Sequence, residues 1–518
     1  MNINELTIQE LIKNQIKTPT DLAVVKRKVA KKYKIPCPSN TNLLKTYHEM
    51  VGNKRVRLSE KLENLLRIRP VRSLSGIVNV SILTKPYPCP GKCIYCPAEK
   101  GIPKSYLSGE PAVERAKRLK FNPYLQTKKR LEMLELEGHP TDKTELRIVG
   151  GTFSFYPKKY QSWFLKRCFD ACNEKNGKNL KEAQRFNEKA EHRVVGLSIE
   201  TRPDFINISE IKWLRKLGVT MVELGVQSIY NNILKLNLRG HGIKETIFAT
   251  KLLKDAGFKV LYQMMPNLPG ANLKGDEKIF KELFSDPDFQ PDFLKIYPCA
   301  LVKEAPLYKW WKEGEYRPYS EKQLIDLIKS IKKTIPYYVR IQRITRDIPA
   351  HSIVAGPAKI SNLRQMVSGN CKCIRCREVK TNYSPKEKPY LFRQDYEASG
   401  GKEVFLSFEN KNRDKLYSLL RLRIPSQIFN EEKHFFSFLE GTAIIRDLHT
   451  YGQLVPIAKR KTAPQHRGLG KKLTKEAEKI AKREFGLAKI AVISGTGARN
   501  YYRKLGYKLK NEYMIKKI

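Results

Sequence analysis

The sequence has 518 residues, enough for about two to four domains, and 99 lysines and arginines against 52 acidic residues give it a net charge of +47. Such an excess of positive charge opposes compaction unless a polyanion neutralises it, so RNA or DNA is the expected partner. The alternative explanation of the charge is a lysine-rich composition adapted to high temperature. No stretch is apolar enough to span a bilayer and the first residues lack the pattern of a signal peptide, so we expect a cytoplasmic protein with no membrane association.

Residues 1–70 are predicted to form a basic helical segment, with 15 lysines and arginines against 6 acidic residues. Thr20 and Asp21 are predicted to cap a helix that continues to Lys34, and a second helix is predicted around 43–50. We interpret the segment as a nucleic-acid-binding module, and the alternative is a solvated helical cap.

Residues 71–345 alternate short β-branched runs with amphipathic segments of helical length, such as 123–137 and 243–256. Repeated β-α units of this kind predict a parallel sheet, either open or curved into a barrel, with its chemistry at the carboxyl ends of the strands. The predicted strands are 77–83, 145–149, 194–199, 221–226, 260–264, 293–297 and 338–341.

Six of the ten cysteines fall in two tight triplets, which is typical of metal sites in a reducing compartment and not of a disulfide framework. The first triplet, Cys89, Cys93 and Cys96, has C-x3-C-x2-C spacing directly after the first predicted strand. Three thiolates at this spacing hold three irons of a [4Fe–4S] cluster and leave the fourth open to S-adenosylmethionine (SAM), which predicts a radical SAM enzyme. The alternative is a zinc knuckle that lacks its fourth ligand.

Further residues for binding SAM follow the next two predicted strands. Gly150 and Gly151 come directly after the second strand, where glycines let the backbone approach the amino-acid moiety of SAM. Glu200 and Arg202 follow the third strand. Because the carboxyl ends of parallel strands meet at one end of a barrel, we expect these four residues to lie near the cysteines.

Residues 346–390 are predicted to form a connector that binds zinc. Cys371, Cys373 and Cys376 have C-x-C-x2-C spacing and need a fourth ligand, for which His351 is one candidate. A second Fe–S cluster is the alternative. We expect this site to join two domains and to have no catalytic part.

Residues 391–518 are predicted to form a smaller α/β domain with a strand at 441–449, a helix at 473–485 and a strand at 489–494. Gln465, Gly468 and Gly470 form a Q-x-x-G-x-G loop before the helix. This order is typical of GNAT acyltransferases, whose backbone N–H groups at the glycine loop and helix N-terminus hold the pyrophosphate of coenzyme A. Tyr502 is placed to protonate a departing thiolate, although Tyr501 and Tyr502 also fit as core aromatics.

The combination of a radical SAM barrel with a C-terminal GNAT domain resembles the catalytic subunit of Elongator in its stand-alone archaeal type. The resemblance covers the chain from about residue 70 to the end. The motifs that carry the resemblance are CPGKCIYCP, GGTF, GLSIETRPD, ELGVQS, RDIP, CKCIRCREV, QHRGLG, KIAVISG and YYRKLGY. The resemblance implies a tRNA carboxymethyluridine synthase. Such an enzyme uses acetyl-CoA, a [4Fe–4S] cluster, an electron donor and a SAM-derived 5′-deoxyadenosyl radical to place a carboxymethyl group on C5 of the wobble uridine.

The resemblance also implies which residues bind acetyl-CoA, and it gives Lys143 and Tyr502 a catalytic part. The implied contacts are Lys143, Asp447, Leu448, His449, Thr450, Gln465, Gly468, Leu469, Gly470, Lys471 and Tyr502. Three other functions are left open. They are a protein lysine acetyltransferase with a structural radical SAM domain, a non-catalytic tRNA-binding scaffold, and a different radical SAM reaction on RNA such as methylthiolation. The sequence also leaves open a homodimer.

Overall fold

The protein is analysed as a computed structural model that describes residues 2–360, 362–380, 387–452 and 468–518. Four helices at the N-terminus pack around their own apolar core, which includes Leu11, Leu43 and Tyr47. The helices are α1 (Ile3–Lys13), α2 (Pro19–Lys32), α3 (Asn40–Gly52) and α4 (Glu60–Leu66).

The predicted boundaries of α2 were wrong by about two residues at each end. The Thr18 hydroxyl accepts from the Asp21 N–H at 3.1 Å, and the Asp21 carboxylate accepts from the Thr18 N–H at 2.9 Å. This reciprocal pair makes Thr18 the cap and lets Pro19 occupy the first turn, where its missing N–H costs nothing. Lys34 has a φ of 49°, which ends the helix before the predicted limit.

The seven predicted strands form one parallel sheet that curves into a partial barrel. The chain order is kept across the sheet, apart from the small strand β7, so that β1 and β8 are its two edges. The strands are β1 (Val78–Leu83), β2 (Lys143–Val149), β3 (Arg193–Thr201), β4 (Met221–Gln227), β5 (Lys259–Met264), β6 (Phe293–Ile296) and β8 (Arg340–Ile344).

The last strand begins two residues later than predicted, because the Val339 N–H is bonded to the Pro336 carbonyl in a turn. Helices follow the strands and cover the outside of the barrel, as expected for β-α units. They are α5 (Pro111–Arg118), α6 (Pro123–Leu136), α7 (Lys158–Asn173), α8 (Leu180–Asn187), α9 (Ile208–Lys216), α10 (Asn231–Leu236), α11 (Ile243–Asp255), α12 (Leu273–Ser285), α13 (Leu307–Lys312) and α14 (Glu321–Thr334). Among the described residues, no helix is long and apolar enough to cross a bilayer.

A connector with little regular structure follows the barrel. Strand β7 (Leu301–Val302) pairs with β9 (Ile353–Ala355) in an antiparallel ribbon. The connector has two single-turn helices, α15 (Leu363–Met366) and α16 (Ile374–Arg377). Cys371 and Cys373 lie between them, and Cys376 lies in α16.

The C-terminal part is a second seven-stranded sheet with the order β10-β11-β12-β13-β14-β16-β15. Its strands are β10 (Tyr390–Ala398), β11 (Gly401–Glu409), β12 (Leu416–Ile424), β13 (Thr442–Thr450), β14 (Lys489–Val492), β15 (Lys508–Lys510) and β16 (Tyr513–Lys517), and its helices are α17 (Gln427–Asn430), α18 (Leu469–Arg483) and α19 (Arg499–Arg503). Only β13 and β14 pair in parallel, and they do so over 442–445 and 489–492. Because β13 continues to Thr450, the two strands separate and leave a cleft between them. Helix α18 begins at the mouth of this cleft, four residues earlier than predicted.

A buried network of charges joins the second sheet to the barrel. Arg446 of β13 donates to Asp292, which precedes β6, at 2.8 and 2.6 Å, and to Glu403 of β11 at 2.8 Å. Arg423 of β12 donates to Asp255 at the end of α11 at 2.7 Å. Removing one partner of a buried pair costs about 3–5 kcal/mol because a charge is left uncompensated. These contacts therefore fix the second sheet at the amino ends of the barrel strands.

Candidate functional site

A cavity of about 870 Å³ opens at the carboxyl ends of the barrel strands. The loop after β1 brings all three thiols of the first triplet to its wall, as the sequence predicted. The predicted SAM residues Gly151, Glu200 and Arg202 line the same cavity. Residues far apart in the chain therefore meet at one site because parallel strands end at the same edge.

Two thiols of the first triplet accept hydrogen bonds from neighbouring groups, whereas burial and the nearby Cys93 raise the pKa of the Cys96 thiol to about 11. The Gly91 N–H donates to Cys89 Sγ at 3.4 Å, and Arg239 Nη1 donates to Cys93 Sγ at 3.5 Å. Burial by itself would raise the pKa of the Cys93 thiol, but the Arg239 guanidinium, with smaller contributions from Tyr95 and Arg202, holds this pKa below its ordinary value. Thiolates are the form that binds metal.

Arg202 carries a nitrogen that has no partner among the described residues. Its Nε and Nη2 donate to the Asp204 carboxylate at 2.9 and 2.7 Å, whereas Nη1 is buried and unbonded. A Cβ on Gly91 would lie 2.7 Å from this Nη1 and within 3.7 Å of the sulfurs of Cys89 and Cys93. The free donor therefore lies beside the triplet, where it fits an anionic sulfur-rich group.

The two triplets differ in spacing. Among the described residues, Cys371, Cys373 and Cys376 are the one set of three metal-binding side chains whose ligand atoms all lie within 4.8 Å of one another. The sulfurs of the first triplet are more widely spaced, as expected when each binds a separate iron of a cluster. The second triplet has the spacing that a single ion needs, since Zn–S bonds are about 2.3 Å long.

Glu200 is held by a set of polar side chains at the cavity wall. Its carboxylate accepts from the Tyr106 hydroxyl at 2.7 Å and from Gln263 Nε2 at 3.2 Å, and it lies 3.4 Å from Lys295 Nζ. Burial would lower the pKa of Lys295, but its ion pair with Glu223 outweighs burial and raises this pKa. Lys295 therefore stays charged and holds the Glu200 side chain in place at the cavity wall.

The two glycines after β2 have different positions. Gly150 has a φ of 136°, and a Cβ there would lie 1.9 Å from Thr84 Oγ1, so its lack of a side chain allows the end of β1 to pass. Gly151 has a φ of 92° and lines the cavity. Gly151 is therefore the glycine through which the backbone can approach a ligand.

The cavity wall is far more basic than a cluster and SAM require. Ten lysines and arginines and three acidic side chains line it, counted over the residues the structure describes. Burial lowers the pKa of Arg375 to about 10, with a further contribution from nearby Arg364. Such a surplus of guanidinium groups favours a second, anionic ligand.

Two residues of the site were not predicted from the sequence. Arg239 contacts Cys93 of the first triplet, and Lys295 contacts Glu200. Arg239 lies in the loop between α10 and α11, and Lys295 lies inside the otherwise apolar strand β6. A lysine at a buried strand position was the available signal, since an unpaired charge there would be costly.

The second triplet lies between the two sheets. The Ile374 N–H donates to the Val339 carbonyl ahead of β8 at 2.9 Å, and the Val379 N–H donates to the Leu416 carbonyl of β12 at 2.9 Å. The connector is thus hydrogen-bonded to the barrel on one side and to the second sheet on the other. His351, the candidate fourth ligand, does not lie with the three sulfurs.

The predicted acetyl-CoA residues of the second sheet converge at the cleft between β13 and β14. A Cβ on Gly470 at the start of α18 would lie 3.0 Å from the Tyr501 hydroxyl and 3.6 Å from Thr450 Oγ1. Tyr502 is 6 % exposed and packs edge-on against Tyr501, which is 41 % exposed. Burial raises the pKa of Tyr502, so its hydroxyl stays protonated.

Further predicted contacts lie close to this cleft. Gly468, Leu469 and Lys471 are adjacent to Gly470 at the first turn of α18, and Asp447 and Leu448 lie on β13. Gln465 falls in 453–467, outside the residues that the structure describes.

Lys143 and His449 lie at the opposite end of the barrel from the cysteines. Lys143 is the first residue of β2, and burial lowers the pKa of its ammonium group. His449 Nε2 is hydrogen-bonded to the Ser75 carbonyl, just ahead of β1, at 2.8 Å. Along β2 the cleft end and the cavity end are roughly 20 Å apart, since a strand rises about 3.3 Å per residue.

The inner face of β2 connects these two ends. Lys143, Glu145 and Arg147 alternate with buried apolar or small residues, and Arg147 lines the cavity while Lys143 lies at the amino end where the second sheet packs. A polar face therefore runs through the barrel from the cleft to the first triplet.

Comparisons with known proteins give a family match for the barrel and another for the domain of the second sheet. Residues 87–283 match the Radical SAM superfamily, residues 291–372 match the Radical_SAM C-terminal domain, and residues 409–507 match the Acetyltransferase (GNAT) family. A tRNA uridine(34) acetyltransferase from Methanocaldococcus infernus is 48% identical over 93% of this chain and 92% of its own length. Elongator complex protein 3 from Homo sapiens is 38% identical over 99% of this chain and 96% of its own length.

A solved structure also matches most of the chain. It is that of archaeal Methanocaldococcus infernus Elp3 with an N-terminal deletion, which is 46% identical with a TM-score of 0.74 over 86% of this chain and 100% of that chain. With identity of this level over nearly the whole length, this chain belongs to the family of the tRNA uridine(34) acetyltransferases and Elongator complex protein 3.

Proposed function

We propose that the protein is a tRNA carboxymethyluridine synthase, which uses acetyl-CoA and SAM to place a carboxymethyl group on C5 of the wobble uridine of tRNA. The observation that carries the proposal is the arginine-rich cavity that contains the first triplet and lies in a barrel fixed to an acetyltransferase-type sheet. The related tRNA uridine(34) acetyltransferases point to uridine 34 of tRNA as the substrate.

At the cavity, Cys89, Cys93 and Cys96 would hold a [4Fe–4S] cluster, whose chemistry when bound would be one-electron reduction of SAM. Arg239 favours the thiolate of Cys93, and Arg202 places its unbonded nitrogen next to the triplet. The remaining predicted residues, Gly150, Gly151 and Glu200, shape and line the pocket for SAM, with Gly151 and Glu200 in contact with the cavity. The electron itself comes from an external donor.

At the cleft, acetyl-CoA lies between β13 and the first turn of α18, with its pyrophosphate at the backbone amides of Gly468–Lys471, where the helix N-terminus favours an anion. The thioester lies along residues 447–450 of β13, where Leu448 and Thr450 lie next to Gly470 while Asp447 and His449 contact Lys259 and Ser75 of the barrel. Tyr502 is the proton donor to the departing thiolate, because its hydroxyl stays protonated. Lys143 neutralises negative charge from the barrel side of the interface.

The second triplet, Cys371, Cys373 and Cys376, holds a zinc ion that joins the barrel to the second sheet. Its compact sulfurs and its hydrogen bonds to both parts support this structural role. We assign the domains as 1–70 for tRNA binding, 71–345 for radical SAM chemistry, 346–390 for zinc and 391–518 for acetyl-CoA, in a protein of the cytoplasm.

The test is an anaerobic incubation of the whole protein with SAM, acetyl-CoA, a reductant and unmodified tRNA, followed by mass analysis of the nucleosides. We expect 5-carboxymethyluridine at position 34, and none when SAM is omitted. Acetylation of a protein lysine without SAM would instead identify a lysine acetyltransferase. Binding of tRNA without consumption of acetyl-CoA would identify a scaffold.

A further inference from the structure

A second cavity of about 630 Å³ lies beside the edge strand β1 and is separate from the cysteine loop. Its basic side chains come from three different segments: the link between α4 and β1, helix α5 and helix α6. They are Arg69, Arg72, Arg115, Arg118, Lys129 and Arg130, against Glu114 and Asp347 as acidic lining residues. We call this the arginine pocket.

The guanidinium groups of the arginine pocket are close enough to oppose one another's charge. Burial, together with the charges of Arg130 and Arg118, lowers the pKa of Arg115 to about 10. Burial also lowers the pKa of Arg130, with Arg72 as the next cause. An anion in the pocket would relieve this repulsion between the guanidinium groups.

Some of these groups have acceptors: Arg72 pairs with Glu137, Lys129 Nζ donates to Glu132 at 2.8 Å, and Arg118 Nε donates to the Glu114 carbonyl at 3.2 Å. The other two arginines on the helices have fewer. Arg115 Nη2 donates to the Ser81 carbonyl at 2.7 Å, while its Nε is buried and has no partner among the described residues. Arg130 Nη1 lies 3.5 Å from the Met133 sulfur, which is a weak acceptor. The pocket thus has more donors than acceptors, as a site for an oxyanion requires.

The arginine pocket lies next to the cavity of the first triplet. Ser81, Pro111, Ala112 and Asp347 line both cavities. A ligand that fills one cavity therefore lies next to a ligand in the other.

We propose that the arginine pocket binds backbone phosphates of the nucleotides that flank the base held in the first cavity. The inference rests on the proposed function for the identity of the polyanion as tRNA. Arginine forks match phosphate oxygens in bidentate geometry, and each phosphate that is neutralised releases condensed counterions. The other source of the same chemistry is the phosphate groups of coenzyme A.

The experiment measures tRNA binding to the whole protein over a range of salt concentrations. The test variants are Arg118→Ala, Arg130→Gln and the double variant, and the matched control is Lys128→Ala, which removes a charge from the exposed side of the same helix α6. We expect each pocket substitution to weaken binding to all tRNAs alike and to reduce the slope of log K against log[salt] by about 0.7–0.9. The control is expected to keep the wild-type slope.

Two further measurements distinguish tRNA phosphates from coenzyme A phosphates and from an effect on stability. Acetyl-CoA binding without tRNA is expected to be unchanged in the pocket variants, and its loss would assign the pocket to coenzyme A and overturn the inference. Melting temperatures are expected to stay the same or rise, because like charges are removed. A wild-type salt slope in the double variant, or an equal change in Lys128→Ala, would also overturn it.

Failure of the arginine pocket and failure of the proposed function give different results. If wild-type protein modifies tRNA but the double variant binds tRNA with the wild-type slope, the arginine pocket fails and the function stands. If wild-type protein leaves uridine 34 unmodified while the pocket variants lose salt dependence, the function fails and the pocket stands.

Discussion

The two cysteine triplets use the same residue type in opposite ways. Cys89, Cys93 and Cys96 lie in an open cavity with Arg239 against one sulfur and an unbonded guanidinium nitrogen nearby. Cys371, Cys373 and Cys376 are drawn within 4.8 Å of one another between two sheets, in a connector hydrogen-bonded to both. Spacing and surroundings therefore distinguish a site for chemistry from a site that holds domains together.

Cys93→Ala is expected to have the largest effect on activity and a small effect on the fold. Loss of one of three thiolates leaves the cluster without a ligand, so carboxymethyluridine formation should fall to the detection limit. Melting temperature and tRNA affinity should stay near wild-type values, because the cavity loop lies outside the domain interface. Nucleoside analysis, thermal unfolding and tRNA titration measure the three quantities.

Cys373→Ala is expected to give the reverse profile. Cys373 is fully buried beside the interface, and metal binding contributes directly to folding. We expect loss of one equivalent of zinc and a fall in melting temperature of at least about 5 °C, while the iron content per folded protein is kept. Metal analysis with thermal unfolding tests this, and an unchanged melting temperature after zinc loss would contradict the structural role.

Tyr502→Phe tests whether the cleft takes part in the reaction together with the cavity of the first triplet. Removing the proton donor is expected to lower tRNA-dependent acetyl-CoA hydrolysis by about 10²-fold. Release of free thiol from acetyl-CoA gives the rate. Tyr507→Phe is the matched control, since Tyr507 packs edge-on against Tyr502 and its hydroxyl donates to Glu478 at 2.9 Å. An equal loss of hydrolysis in both variants would contradict a specific role of Tyr502.

Arg239→Gln is expected to have the smallest effect and to act through pH. The guanidinium holds the pKa of Cys93 below its ordinary value, so its loss should raise that pKa and move cluster reconstitution to higher pH. Iron incorporation measured against pH gives the midpoint. Arg364→Gln, a charge on the connector side of the same cavity, should leave the midpoint unchanged.

Much of the fold follows from local patterns in the sequence. The seven strands of the barrel were predicted because each is a β-branched run that precedes an amphipathic helix. The predicted cap at Thr20 was wrong because Thr18 forms the capping box with Asp21. A short run of polar residues does not show which of them caps the helix. The strand predicted at 338–341 was displaced by the turn after Pro336.

The site was only partly accessible from the sequence. Cysteine spacing and glycines at strand ends are local signals, and they placed the first triplet and Gly151 at one cavity. Arg239 and Lys295 reach the site from segments that carry no motif, so only the folded chain brings them there. The separation of the cleft from the cavity along β2 also depends on tertiary packing at Arg446 and Asp292.

The most direct test of a shared function for barrel and cleft uses acetyl-CoA deuterated on its methyl group. After anaerobic turnover with SAM and tRNA, we expect deuterium in 5′-deoxyadenosine and a carboxymethyl group with the remaining deuterium on uridine 34. Modified uridine formed while 5′-deoxyadenosine contains no deuterium would contradict the account, because the acetyl methyl would then never have met the chemistry of the first triplet.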